Sequence, residues 1–211
     1  HCLNNSEDAI EPKLTRTVRN DMMRKIGLVI NAEPDLDNPQ IVLGLVEHEE
    51  HFYLGEITYG ETVWLNHMHK PEMYSTALST RDARAIVNIA TPFPEGLKVI
   101  DPCCGIGTVL VEAMSMVIAI EGRDVNKRVV WGSRINLRHF GFEPNVEIGS
   151  IEEANDGYDV AIIDMPYNLF THTSKELQQS IITNASRIAK RVIIVTIETM
   201  DDMIKQAGLS I

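Results

Sequence analysis

The chain has 211 residues, 44% apolar and 23% charged, proportions that exclude a disordered or fibrous chain and leave room for one full domain plus a smaller piece. Acids outnumber bases 30 to 19, and a formal charge of −11 excludes a surface that grips nucleic acid everywhere, though not a local basic patch. The longest apolar run, Thr108 to Ile120, is short for a bilayer span and contains Glu112, so no membrane partner is expected.

The first residues carry no signal-peptide pattern, and three cysteines, two of them adjacent, suit a reduced cytoplasmic setting better than a disulfide framework. Residues 1–11 are polar and read as loose. A basic, helix-like stretch runs from Pro12 to Leu28, with Lys13, Arg16, Arg19, Arg24 and Lys25 against Asp21 alone. Breaker residues make 31–39 a loop. Gln40–Val46 and Phe52–Thr58 then read as a hairpin. This segment, 1–60, is followed by a linker over 61–78 and a second domain over 79–211.

In that second domain Ser79 and Asp82 open a helix over Thr80–Ala90. Strands follow at Leu97–Asp101, Val117–Glu121, Val146–Gly149, Asp159–Asp164 and Val192–Ile197. Helices lie between them at Thr108–Val117, Asn126–Phe140 and Ser174–Lys190, and a last one runs to about Gln206. Apolar strands alternating with helices predict an α/β domain whose mostly parallel sheet is covered on both faces. Ligands of such sheets bind beyond the carboxyl ends of the strands, so the search for function follows each strand end.

The first strand runs into Asp101–Pro–Cys–Cys–Gly105–Ile–Gly107–Thr108. Glycines let the backbone turn tightly against a ligand, and the helix beginning near Thr108 offers free amides. The second strand leads to Asp124, about 20 residues past the glycines, where an acid holds a ribose diol or caps the next helix. The fourth ends in Asp164–Met–Pro166–Tyr167–Asn168. A carboxylate and a nearby carbonyl there can accept the hydrogens of an exocyclic amine while the ring stacks on its base. The plainer alternative is a turn whose tyrosine packs in the core.

Residues 76–198 resemble the catalytic domain of the S-adenosylmethionine-dependent RNA methyltransferases that carry a THUMP domain and modify guanine in transfer or ribosomal RNA. The resemblance rests on the Asp101–Pro–x–Cys104–Gly–x–Gly–Thr108 loop, the Gly122–x–Asp124 turn and the Asp164–x–Pro166–Tyr167 tetrad, in family order and at family-like spacing. Residues 12–60 more weakly resemble the back half of a THUMP-type domain. The resemblance implies a Rossmann-like class I methyltransferase domain preceded by a partial α+β THUMP-like segment, with S-adenosyl-L-methionine as cofactor and RNA as partner.

It further implies that Asp101, Cys104, Gly105, Gly107 and Thr108 surround the methionine part of the cofactor. Asp124 would hold the ribose, Val125 would lie against the adenine, and Ser150 would stand where many relatives have an acid for the adenine amine. Asp164, Pro166 and Tyr167 would be catalytic, orienting the target base. Asn168 replaces a glycine common after the aromatic, and the family's last strand pair would begin where this chain stops. The product expected is N2-methylguanine, because guanine presents its amine beside a ring N–H and both can donate to a carboxylate.

No metal site is expected: Cys103 and Cys104 are too close for paired ligation, and His48, His51, His67 and His69 read as polar turn residues. Trp131 and Phe140 read as packing residues. The acids at Glu143, Glu147, Glu152, Glu153, Asp156 and Asp159 read as an edge that repels RNA. The rival readings are a DNA adenine methyltransferase, a catalytically silent RNA-binding subunit and a nicotinamide-linked oxidoreductase.

Overall fold

The structure, a computed structural model, describes residues 2–3, 15–49, 51–75, 77–166 and 173–211. The chain forms two compact units, His1–Glu61 and Thr62–Ile211.

The first unit contains β1 (Cys2–Leu3), α1 (Arg16–Val29), β2 (Leu43–His48) and β3 (His51–Glu56) in a sheet of order β1-β2-β3. The Thr15 hydroxyl caps α1 by accepting from the Val18 N–H at 3.4 Å. β2 and β3 form the expected antiparallel hairpin, with Leu45 opposite Leu54. Cys2 and Leu3, read as loose, instead form a strand parallel to Leu45 and Val46. That pairing is non-local, so no local pattern announces it. Lys13 lies outside the described residues.

The second unit begins with α2 (Trp64–His67) and α3 (Thr80–Ala90). It continues through β4 (Val99–Asp101), α4 (Thr108–Ser115), β5 (Ile120–Asp124), α5 (Lys127–His139) and β6 (Val146–Ile148). β7 (Tyr158–Asp164), α6 (Lys175–Ile188), β8 (Ala189–Val195) and α7 (Asp201–Gln206) complete it. Helix starts follow capping chemistry: Ser79 Oγ accepts from Asp82 N–H, Asn126 Oδ1 from Arg128 N–H, and Ser174 Oγ from Leu177 N–H.

The five strands β6-β5-β4-β7-β8 pair in that order and all run parallel. β7 shows why both faces are covered. Val160 and Ile162 join one core cluster with Leu110, Val130 and Leu137, whereas Ala161 and Ile163 join the other with Ile182 and Ile188. The chain moves outward from β4 to β5 and β6, then crosses back to β7 on the other side of β4. The switch point therefore lies between β4 and β7, where ligands of such sheets bind.

Several boundaries differ from the sequence expectation, and three of them have a clear physical cause. β5 starts at Ile120 rather than Val117, because Val117 is turned out to solvent at φ 61°. Its N–H donates to the Met114 carbonyl and the Ile118 N–H to the Ala113 carbonyl, which closes α4. β8 starts at Ala189, because Ala189 pairs with Tyr158 and is thereby taken from the preceding helix. The stretch read as a linker belongs to the second unit.

In that stretch His67 is buried with Nδ1 2.7 Å from Glu112 Oε1, so it is not a polar turn histidine. Lys70 is buried as well and donates to Thr80 Oγ1 at 3.1 Å, while Arg84 reaches Glu112 Oε2 at 3.3 Å. Phe140 meets the His67 ring edge-on at 4.9 Å, as expected of a packing residue, but Trp131 is 61% exposed. The acidic edge is largely paired by bases from elsewhere: Arg123 with Glu147 and Glu153, Arg187 with Asp156, and Lys190 with Asp159. Among the described residues no helix is long and apolar enough to cross a membrane.

Candidate active site

The loops that follow β4, β5, β6 and β7 open onto one cavity of about 380 Å³, a size that suits a nucleoside-sized ligand. The loop after β4 is held by the Cys104 N–H donating to the Arg123 carbonyl at 3.0 Å and the Gly107 N–H donating to the Cys104 carbonyl at 2.8 Å. Gly107 adopts φ 80°, and a Cβ there would stand 2.3 Å from Ser133 Oγ. Only glycine meets both conditions. Gly107 does not border the cavity; it supports the loop from behind. Gly122 on β5 makes the room that Leu110 fills, since a Cβ there would stand 2.5 Å from Leu110 Cδ1.

Asp124 ties two of the loops together. Its Oδ2 accepts from the Gly105 N–H at 3.0 Å and its Oδ1 from the Asn126 N–H at 2.8 Å. A carboxylate has about four acceptor sites, so lone pairs remain for a ligand. Asp101, at the end of β4, is 2% exposed and accepts from the Cys103 N–H at 3.2 Å. Burial pushes its carboxyl well above the usual range, against the pull of that N–H, and the charges of Asp164 and Asp124 push the same way. Burial also raises the thiols of Cys103 and Cys104, which leaves both protonated and unsuited to nucleophilic attack.

The expected residues Asp101, Cys104, Gly105, Thr108, Asp124, Val125, Ser150, Asp164 and Pro166 all border the cavity. The Thr108 hydroxyl is buried with no hydrogen-bond partner among the described residues. Ser150 Oγ accepts from the Glu152 N–H at 3.2 Å and starts a short 3-10 turn, Ile151–Glu153. The Pro166 carbonyl accepts from the Thr173 hydroxyl at 2.7 Å, which leaves it one lone pair for a substrate amine. Tyr167 and Asn168 lie outside the described residues.

The cavity wall also includes residues that sequence reasoning missed: Tyr74, Ala77 and Leu78 ahead of α3, Val129 on α5, and Leu177 and Ile181 on α6. No local signal marks them, because they arrive from elements remote in sequence. Among the described residues the wall carries Asp101, Asp124, Glu152 and Asp164 but no Lys, Arg or His. Such a site favours a ligand that brings positive charge.

Fold and site together define a Rossmann-like α/β domain with a nucleoside-sized, acid-lined cavity at its switch point. The family described as RMKL-like, methyltransferase domain matches residues 68–207, and the chain belongs to that family. A tRNA (guanine(10)-N2)-dimethyltransferase from Methanothermobacter thermautotrophicus is 28% identical over 169 residues, 75% of this chain and 50% of that protein. The enzyme of the same name from Pyrococcus abyssi is 33% identical over 108 residues, 48% of this chain and 32% of its own length.

This chain thus spans half or less of the curated relatives it matches. Among solved structures, TrmN from Thermus thermophilus aligns with a TM-score of 0.55 at 19% identity, covering 95% of this chain and 61% of that one. Magnesium protoporphyrin IX methyltransferase from Synechocystis, solved with bound SAM, aligns with a TM-score of 0.52 at 18% identity, covering 62% of this chain and 69% of that one. At these identities both likenesses concern the fold.

Proposed function

We propose that this chain carries the catalytic domain of an S-adenosyl-L-methionine-dependent RNA methyltransferase acting on an exocyclic base amine, with guanine N2 of transfer RNA as the target. The observation that carries the reading is the convergence of Asp101, Asp124 and Asp164 on a cavity free of basic side chains among the described residues, in a member of a methyltransferase-domain family. The relatives' shared name supports the choice of guanine in tRNA over rRNA.

The residues present fit the cofactor. Its ammonium and sulfonium are cations that relieve the buried Asp101 carboxyl and its neighbours, and the unpartnered Thr108 hydroxyl gains a polar partner. Asp124 has lone pairs for the ribose, Val125 offers an apolar surface to the adenine, and Gly105 and Cys104 shape the loop around the amino-acid part. Ser150, whose hydroxyl accepts from Glu152, contributes at the adenine side through its backbone. When bound, the cofactor supplies a methyl group already activated for transfer, so no metal is required.

The chain's own part in the chemistry is positioning. Asp164 accepts hydrogens from the guanine N2 amine and its neighbouring ring N–H, and the Pro166 carbonyl accepts a further one. Tyr167 follows in sequence as the ring on which the base stacks. Asp164 need not be a strong base, because the amine's acidity rises only as the new bond forms.

The first unit serves as a partial THUMP-like RNA-binding segment in this reading, with exposed Arg16 and Arg24 on α1 as phosphate contacts; Lys25 is paired with Asp21 at 2.7 Å. In this reading the location is cytoplasmic, where free thiols such as those of Cys103 and Cys104 stay reduced.

The test is to incubate the full-length protein with unmodified transfer RNA and labelled cofactor and separate the nucleosides. N2-methylguanosine is expected, and Asp164→Ala should abolish transfer while the dissociation constant for S-adenosylhomocysteine stays within a few-fold. A dominant methyladenosine peak overturns the base assignment. Binding of S-adenosylhomocysteine without transfer to any RNA points to a silent subunit.

A further inference from the structure

Asn136 on α5 is completely buried, and its side-chain amide serves main chain alone. Its Oδ1 accepts from the Glu72 N–H at 2.9 Å, and its Nδ2 donates to the Glu72 carbonyl at 3.0 Å and to the Ile106 carbonyl at 3.0 Å. A primary amide is the group that offers donor and acceptor side by side, as a neighbouring strand would. One side chain therefore fixes two segments against each other: the stretch ahead of α3, through Glu72, and the glycine loop, through Ile106. The same stretch is anchored at its start, where buried Lys70 bonds Thr80 and buried His67 bonds Glu112.

Two residues beyond Glu72 stands Tyr74, 54% exposed and bordering the cavity together with Ala77 and Leu78. The Ala77 N–H donates to the Tyr74 carbonyl at 3.0 Å, which bends the chain at the tyrosine. Leu78, Val125, Val129 and Ile151 make part of the cavity wall aliphatic, and Tyr74 is the one aromatic ring of that wall among the described residues. A half-exposed phenol at the border of a partly aliphatic cavity offers a flat face to a flat ligand.

We infer that residues 71–75, with Ala77 and Leu78, form a further wall of the cofactor site, in which Tyr74 covers the nucleoside of the bound cofactor and Asn136 is the positioning residue that holds it there. The inference rests on the cofactor reading above. The cofactor, rather than the target base, is the partner because Asn136 ties this wall to Ile106 of the cofactor loop, and the nucleoside is the part covered because Asp124 and Val125, given above to ribose and adenine, border the same cavity as Tyr74. The tetrad that addresses the base follows β7.

The test is calorimetry on the full chain with S-adenosylhomocysteine and, separately, adenosine. Tyr74→Ala should weaken both about five- to tenfold, in line with the loss of a stacked ring, while Tyr74→Phe stays within about twofold of wild type. Asn136→Asp keeps the acceptor and loses both donations, so it should weaken binding in wild type and have little further effect in the Tyr74→Ala background. A merely structural role for Asn136 would give additive losses instead, which would overturn its assignment.

If Asn136→Asp does not fold, the tyrosine variants alone decide. Unchanged affinities in Tyr74→Ala, with wild-type binding intact and Asp124→Ala impaired, overturn the inference and leave the cofactor reading standing. Failure of wild type to bind overturns both.

Discussion

Among the described residues of His1–Glu61, Leu45 is the core residue, whereas Thr62–Ile211 buries Leu110, Leu137, Ile162 and Ile163 completely. Helix α1 buries nothing and β3 is exposed along its whole length, with Phe52, Tyr53 and Leu54 each more than half accessible. The contrast follows from layers. The second unit sandwiches five parallel strands between helices, so each strand residue finds apolar neighbours on its face. Among its described residues the first has one short sheet and one helix, which is one layer fewer to cover its strands. The candidate site accordingly sits on loops mounted on the well-packed unit.

The largest expected difference comes from truncating the core. Ile162→Ala should cost about 2–5 kcal/mol in urea unfolding, against less than about 0.5 kcal/mol for Leu54→Ala on β3. A cost above about 1 kcal/mol for Leu54→Ala would show that the apolar face of the first unit is covered in solution. Glycine substitutions sharpen the same contrast. Gly107→Ala meets both a left-handed backbone and Ser133, and should cost about 2 kcal/mol or more and weaken S-adenosylhomocysteine binding. Gly55→Ala on β3 meets nothing within 4 Å and should change stability by about 0.5 kcal/mol or less.

Two carboxyls make the comparison pH-dependent. Asp101 is raised by burial, so between the ordinary carboxylate range and its raised value the folded protein holds a proton that the unfolded chain releases. That contribution is present at low pH and is lost as pH rises through the folded value. Asp101→Asn should remove this dependence and raise ligand-free stability at neutral pH by about 1 kcal/mol, while weakening cofactor binding. Asp35 in the first unit behaves oppositely. The N–H groups of Asn38 and Asp37 hold its carboxyl low, so its contribution is present at neutral pH and fades as pH falls through the lowered value. Thermal melts of wild type, Asp101→Asn and Asp35→Asn followed from acid to above neutral pH check the two signs.

The smallest effect is expected at Val117, a β-branched residue held at φ 61° and 94% exposed. Val117→Gly should stabilise the second unit by about 0.5–1 kcal/mol through relief of strain, partly offset by chain entropy. A loss of stability there would show that the turn closing α4 depends on the valine side chain.

Much of the second unit was legible in the sequence because its signals are local. Ser79, Asn126 and Ser174 mark helix starts, apolar strands alternate with helices, and acids and glycines sit at strand ends, where the fold brings Asp101, Gly105, Asp124 and Asp164 to one cavity. What tertiary structure decided was every feature built from partners far apart in the chain. His67 became a buried partner of Glu112, 45 residues away, and Glu72 was clamped by Asn136, 64 residues away.

Much of the acidic run, Glu147, Glu153, Asp156 and Asp159, proved to be paired because Arg123, Arg187 and Lys190 approach it from other strands and helices. Ala189 left its helix for the same reason, a ladder partner at Tyr158. Local propensity depends on a residue and its near neighbours, and so determines where elements begin, which face is apolar and which polar residues end a strand. Burial and pairing depend on which surfaces the chain brings together, and only the folded chain settles that.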